Sequence, residues 1–176
     1  MKLYIVGTDH RLQQSIAAKP GGGWIQRTGG QRFRRCVSYF LSQGVKVICE
    51  EVHQRQDEIA PTICSALAKE HKVRWICMGI GEPSPLDVLT DKPLIEAFAA
   101  GILPEVIAGR YRLDAQDLRE RHMCSILREA VKESGTVLAV VGFMHAGVLA
   151  RELENEHIAV EAFQMMQGLV LDESQT

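Results

Sequence analysis

Histidine and carboxylate recur in this chain just past the ends of short apolar runs. Thr8, Asp9 and His10 follow the first run, and Glu50 and Glu51 close the second, with His53 soon after. Gly81 and Glu82 follow the third, and Phe143, Met144 and His145 follow the fourth. Imidazole and carboxylate are common ligands of zinc, manganese and iron, and the usual groups for moving protons at neutral pH. With neutral imidazoles, His10, His145, Glu50 and Glu51 carry a charge near −2, which one divalent cation such as Mn²⁺, Co²⁺ or Zn²⁺ would balance. Each residue alone also has a plain reading, since a single histidine after a strand is commonly a hydrogen-bonded structural group. Strand alternation sends the side chains of Glu50 and Glu51 to opposite faces, so both need not enter one site. His53 reads as a loop residue, and His71, His122 and His157 as surface residues at or within helical patterns.

One arginine breaks a local rule. Leu118, Met123, Ile126, Leu127, Ala130 and Val131 form the apolar stripe of a helical pattern, and Arg119 lies on or beside it. A guanidinium among core positions needs an anionic partner, so Arg119 is expected to be mostly buried and paired with Glu50 or Glu51. The plainer alternative is an arginine that reaches the rim with its stem covered.

These groups can meet only if the apolar runs lie side by side. Residues 2–7, 45–50, 73–79 and 136–142 read as strands, with 158–164 as a fifth. Several are almost continuously apolar, as strands covered on both faces are. Helical patterns occupy 31–43, ending at Gly44, then 57–71 after Asp57, 85–100 across Pro93, 114–134 from Asp114 to Gly135, and 146–157. The alternation predicts one three-layer α/β domain over 1–176, a mostly parallel sheet with helices on both faces. Ligands of such sheets bind outside the carboxyl ends of the strands, where these polar residues fall. The glycine-rich stretch 19–30 matches neither the phosphate-loop nor the dinucleotide-loop spacing. It reads as a surface loop, or as a flap whose Trp24 touches a substrate or partner.

Composition narrows the classes. The chain has 176 residues, 46% hydrophobic and 24% charged, with 20 Lys+Arg against 22 Asp+Glu. A net charge of −2 argues against a protein built to grip nucleic acid through phosphates. No apolar run approaches the ~18 residues of a membrane span, and Met1-Lys2 leads into a strand pattern with no signal-peptide design, so no membrane association and a cytoplasmic location are expected. The 5 cysteines include no CxxC pair and read as buried reduced thiols.

Gly7-Thr8-Asp9-His10 and Gly142-Phe143-Met144-His145 are two GxxH motifs, each closing a strand. Between them stand Glu50-Glu51 and Arg119-Glu120-Arg121-His122-Met123. This ordered set resembles the Tiki/TraB superfamily, which includes erythromycin esterase-like and ChaN-like haem-iron-binding proteins. That superfamily is marked by two GxxH motifs, a glutamate pair and an Arg-Asp/Asn-x-x-Met motif. The resemblance spans 7–145 and implies a polar centre of His10, Glu50 or Glu51, and His145, with Arg119 as the family arginine and Glu120 at its Asp/Asn position. It implies metal-dependent proteolysis or lactone hydrolysis in some members and haem binding in others. The chain is shorter than most members, without room for their helical insertions.

Two functional readings follow. The first is a hydrolase of an ester or amide bond in a small-molecule or peptide substrate, metal-assisted or not. In it Glu50, Glu51 and Arg119 serve catalysis, and His10, His145 and Glu50 hold the ion. The alternative is a non-catalytic binding module of the same fold. That module would carry haem or iron, or bind a protein partner as a toxin-neutralising immunity protein does.

Overall fold

All five apolar runs are strands, and they lie parallel. The computed structural model describes residues 1–13, 30–52, 61–79, 105–166 and 169–172; side chains at 10–11, 105–116, 166 and 169–172 fall outside the description. The strands are β1 (Lys2–Thr8), β2 (Val47–Glu50), β3 (Arg74–Cys77), β4 (Thr136–Gly142), β5 (Ala159–Met166) and β6 (Leu169–Asp172). The sheet order is β3-β2-β4-β1-β5-β6. Only β6, which the sequence reading did not anticipate, runs antiparallel, against β5.

The helices are α1 (His10–Gln13), α2 (Gly30–Ser42), α3 (Ile63–His71), α4 (Glu105–Ser134) and α5 (Phe143–Glu154). Gly44 and Gly135 take positive φ just beyond α2 and α4, the expected glycine stops. Helix α3 starts at a capping box, with Thr62 accepting from the Ser65 amide and Ser65 Oγ accepting from the Thr62 amide. Helix α4 begins at Glu105, so Asp114 lies inside it instead of capping it. Helix α5 begins at Phe143, three residues before the expected 146, because β4 passes into it through a single residue, Gly142. The predicted helix 85–100, residues 57–60 and the glycine-rich 19–29 lie outside the described residues.

Period-two alternation divides each strand between two cores. Leu3, Ile5, Val137, Ala139 and Val141 pack against Met123, Leu127 and Val131 of α4 and Ala146, Leu149 and Leu153 of α5. On the opposite face, Tyr4, Val6, Ile48, Leu138 and Val140 pack against Phe33, Val37 and Phe40 of α2 and Ile63 and Leu67 of α3. The result is the expected three-layer α/β sandwich, and double coverage is why the strands read as unbroken apolar runs.

The connections define a crevice. After β1 the chain turns to the α2/α3 face, where Leu12 of α1 is buried. After β4 it turns to the other face as α5. β1 and β4 are neighbours, with Thr8 opposite Gly142. Adjacent strands whose chains leave to opposite faces form a topological switch point, the usual ligand position in such sheets. Both GxxH motifs end here. Gly7 is needed for the approach, because a Cβ on it would lie 2.9 Å from Ala146 Cβ and 3.1 Å from Phe143 Cα.

A second close approach joins the ends of β2 and β3. A Cβ on Gly79 would stand 1.8 Å from the Val52 carbonyl oxygen, a backbone atom that cannot rotate away. Gly79→Ala should therefore lower unfolding free energy by about 2 kcal/mol or more, read by denaturant melts. A change within about 0.5 kcal/mol would show that the two strand ends can separate freely.

Candidate active site

The structure builds a polar cluster where β2, β4 and α4 meet the start of α5. Glu51 is the first residue beyond β2, and its amide donates to the Val140 carbonyl at 2.8 Å, which holds it beside β4. Its Oε2 accepts from the Gly142 amide at 2.8 Å. Gly142 is the N-cap of α5, so this bond ties the glutamate to the residue where strand becomes helix. His145 follows on the first turn of α5.

Both ring nitrogens of His145 face carboxylates. Nδ1 lies 2.9 Å from Glu120 Oε1, a hydrogen bond. Nε2 lies 3.4 Å from Glu51 Oε1, within ion-pair reach but too long for a good hydrogen bond. His145 and Glu120 are each 8% exposed and Glu51 2%. A neutral ring that donates from Nδ1 turns its Nε2 lone pair toward Glu51. That arrangement is favourable only if a water proton, a proton on the ring or a cation lies between or beside the two atoms.

Glu120 is the participant that the residue types alone did not bring forward. The signal was its spacing: it lies three, four and seven residues before Met123, Cys124 and Leu127, all buried on one helix stripe. Arg119, its neighbour, is of intermediate exposure, with its Nε out of solvent.

The two glutamates of the pair separate, as alternation requires. Glu50 is fully buried on the α2/α3 face. Its Oε2 accepts from Thr62 Oγ1 at 2.6 Å and from Trp75 Nε1 at 2.8 Å. The carboxylate thus joins β2 to the α3 cap and to β3, and its described partners do not include Arg119. Burial pushes its pKa from 4.5 up to about 7, against the opposing hydrogen bonds of Thr62, Trp75 and Cys64.

His10 opens α1, and its backbone stands at the same sheet edge as His145, since Thr8 and Gly142 are in register. The His10 side chain, His53, Gly81 and Glu82 lie outside the described residues. Among the described residues, no group of three or more histidine, cysteine, aspartate or glutamate side chains converges to hold a metal. The five cysteines are free. Burial pushes the Cys49 thiol up to about 12 and that of Cys36 up to about 11, away from nucleophilic use. No described helix is long and apolar enough to cross a membrane. Comparison of the chain with protein-family models, curated proteins and solved structures finds no match in any of the three.

The burial of Glu50 has a pH signature. Its folded pKa exceeds its ordinary value, so the folded state binds more protons between pH 4.5 and about 7. Stability therefore falls as pH rises through that window, by about 3 kcal/mol in all from this group. Glu50→Gln mimics the neutral carboxyl. It should match wild type near pH 5 and exceed it near pH 8 in urea melts. Equal losses at both pH values would mean that the charged carboxylate is the favoured form.

Proposed function

We propose that this protein is a hydrolase of an ester or amide bond, with His145 as its acid–base group. The observation that supports the reading is a nearly buried imidazole between two carboxylates at the switch point of a parallel sheet. Glu120 accepts from Nδ1–H, which orients the ring and leaves the Nε2 lone pair toward Glu51. One water can reach Nε2 and Glu51 Oε1 together, because the two atoms are 3.4 Å apart. Nε2 would take the water's proton as its oxygen attacks the substrate carbonyl, and would return that proton to the leaving group. The imidazolium formed in between would sit against both carboxylates, which offsets its burial. Glu50 enters this reading as a support of the β2 end.

A divalent ion suits the same two atoms. Ligands of a tetrahedral zinc stand about 3.4 Å apart, given metal–ligand lengths of about 2.0–2.1 Å. Nε2 and Glu51 Oε1 have that spacing, and Glu120 on Nδ1 has the place that a carboxylate takes behind a metal-bound histidine. Mn²⁺, Co²⁺ or Zn²⁺ held there would supply Lewis acidity and a water of lowered pKa.

The reading is tested with a panel of esters and amides on wild type, His145→Ala and Glu120→Gln, together with thermal melts with and without each ion. Turnover should fall about 10²–10⁴-fold in His145→Ala. An ion at 100 times its dissociation constant should stabilise wild type by about 2.7 kcal/mol and leave His145→Ala unmoved. Turnover without any ion effect would select the metal-free version. Absence of turnover across the panel, with or without ions, would overturn the hydrolase reading in favour of a binding module.

A further inference from the structure

Charge is divided unequally between the two helical layers. Helices α2 and α3, with the cap residue Lys72, carry Arg32, Arg34, Arg35, Lys69 and Lys72, and Glu70 is their one acidic residue. The opposite layer is mixed. On α4, Arg128 and Lys132 alternate with Glu129 and Glu133, and on α5 Arg151 stands beside Glu152 and Glu154. The whole chain has a net charge of −2, so the positive α2/α3 face is a local feature of a weakly acidic protein. Its one carboxylate is already engaged, because Arg34 donates to Glu70 Oε2 at 2.5 Å and so joins α2 to α3. Arg32, Arg35 and Tyr39 are exposed and follow one another at spacings of three and four. They form one outward stripe, opposite the buried Phe33, Val37 and Phe40. Tyr39 is 59% exposed, with its ring edge-on to Phe40 at 5.4 Å between centroids.

We propose that the α2/α3 face docks an acidic segment of a protein partner, with Tyr39 as its apolar anchor and Arg32 and Arg35 on the partner's carboxylates. The surface lies on the opposite layer from His145, so the proposal goes beyond the hydrolase reading and stands without it. Charge complementarity selects an anion. Guanidinium groups take carboxylates through two parallel hydrogen bonds, and Lys69 and Lys72 add point charges that steer the approach. Residue type selects a protein. Arginine and tyrosine are the side chains enriched where proteins meet, and an aromatic ring between arginines offers contact that charge alone does not. A nucleic-acid duplex is gripped through about 6–10 phosphate contacts, more than Arg32, Arg35, Lys69 and Lys72 supply. A short acidic segment touches this face alone. The carboxylates of the other layer lie beyond the sheet, where salt screens charges more than about 8 Å away.

The test is fluorescence anisotropy at physiological ionic strength, with the full chain titrated into labelled probes. The probes are a glutamate-rich peptide with interspersed leucines, the same peptide with glutamine for glutamate, and a short DNA duplex. Wild type should bind the acidic peptide and not its glutamine counterpart. Arg32→Ala/Arg35→Ala should weaken that binding by about tenfold or more. Tyr39→Ala, which removes no charge, should weaken it by about threefold or more. Lys132→Ala/Arg151→Ala, on the opposite layer, should change it less than about twofold. All the altered side chains are exposed, so the core of each variant stays intact. Failure to bind the acidic peptide would overturn the proposal, as would equal losses on both layers. Indifference to Tyr39→Ala would also overturn it, because it would leave only diffuse attraction between opposite charges. Tighter binding of the duplex would make nucleic acid the occupant. Wild-type self-association in sedimentation that Arg32→Ala/Arg35→Ala abolishes would replace the partner with the acidic side chains of a second copy.

Discussion

An imidazole buried between two carboxylates is tolerable only where its hydrogen bonds are held in place, and much of this fold does that holding. Glu51 reaches the ring because its amide is bound to Val140 and its carboxylate to the amide of Gly142. Glu120 reaches the other side because Met123, Cys124 and Leu127 seat α4 against the sheet. His145 is placed by the one-residue passage from β4 to α5, which in turn needs a glycine at position 7 on the neighbouring strand. A shift in any of these elements would leave a buried charge without its partner, a cost of several kcal/mol.

Adjacent glutamates do different work on opposite faces. Glu50 and Glu51 share a peptide bond, yet one ends in a knot with Thr62 and Trp75 and the other at His145. The knot holds β2, the α3 cap and β3 together just below the site, so the chain end that carries Glu51 is anchored from behind. A protonatable buried Glu50 costs stability at neutral pH, whereas Glu51 contributes a donor-tied carboxylate at the crevice. A glutamate pair at a strand end is thus sent to two faces by period-two geometry alone.

The fold was legible because its signals were local. Doubly covered strands announce themselves as unbroken apolar runs, and Gly44 and Gly135 mark helix ends through backbone conformation. Helix starts were harder. Asp114 has the chemistry of a cap but lies inside α4, and α5 starts early because β4 runs directly into it at Gly142, whose amide is held by Glu51. The short strand β6 follows from Leu169-Val170-Leu171, a run too brief to stand out. Within the site, His145 and Glu51 were visible as strand-end residues, and the separation of Glu50 from Glu51 followed from alternation. Glu120 was legible as a charge on the buried stripe of a long helix, but its pairing with His145 was not. Its role depends on the packing of α4 beside α5, a long-range contact that no local pattern encodes.

The central claim is that His145 and Glu120 act as one buried unit, and a double-mutant cycle measures that directly. Unfolding free energies of wild type, His145→Ala, Glu120→Ala and the double variant, all at pH 7, give the coupling between the two side chains. A buried charge-assisted hydrogen bond predicts a coupling of about 1.5–3 kcal/mol, with the double variant destabilised much less than the sum of the singles. Losses that add to within about 0.5 kcal/mol would show that the two residues do not hold each other, and would contradict the account.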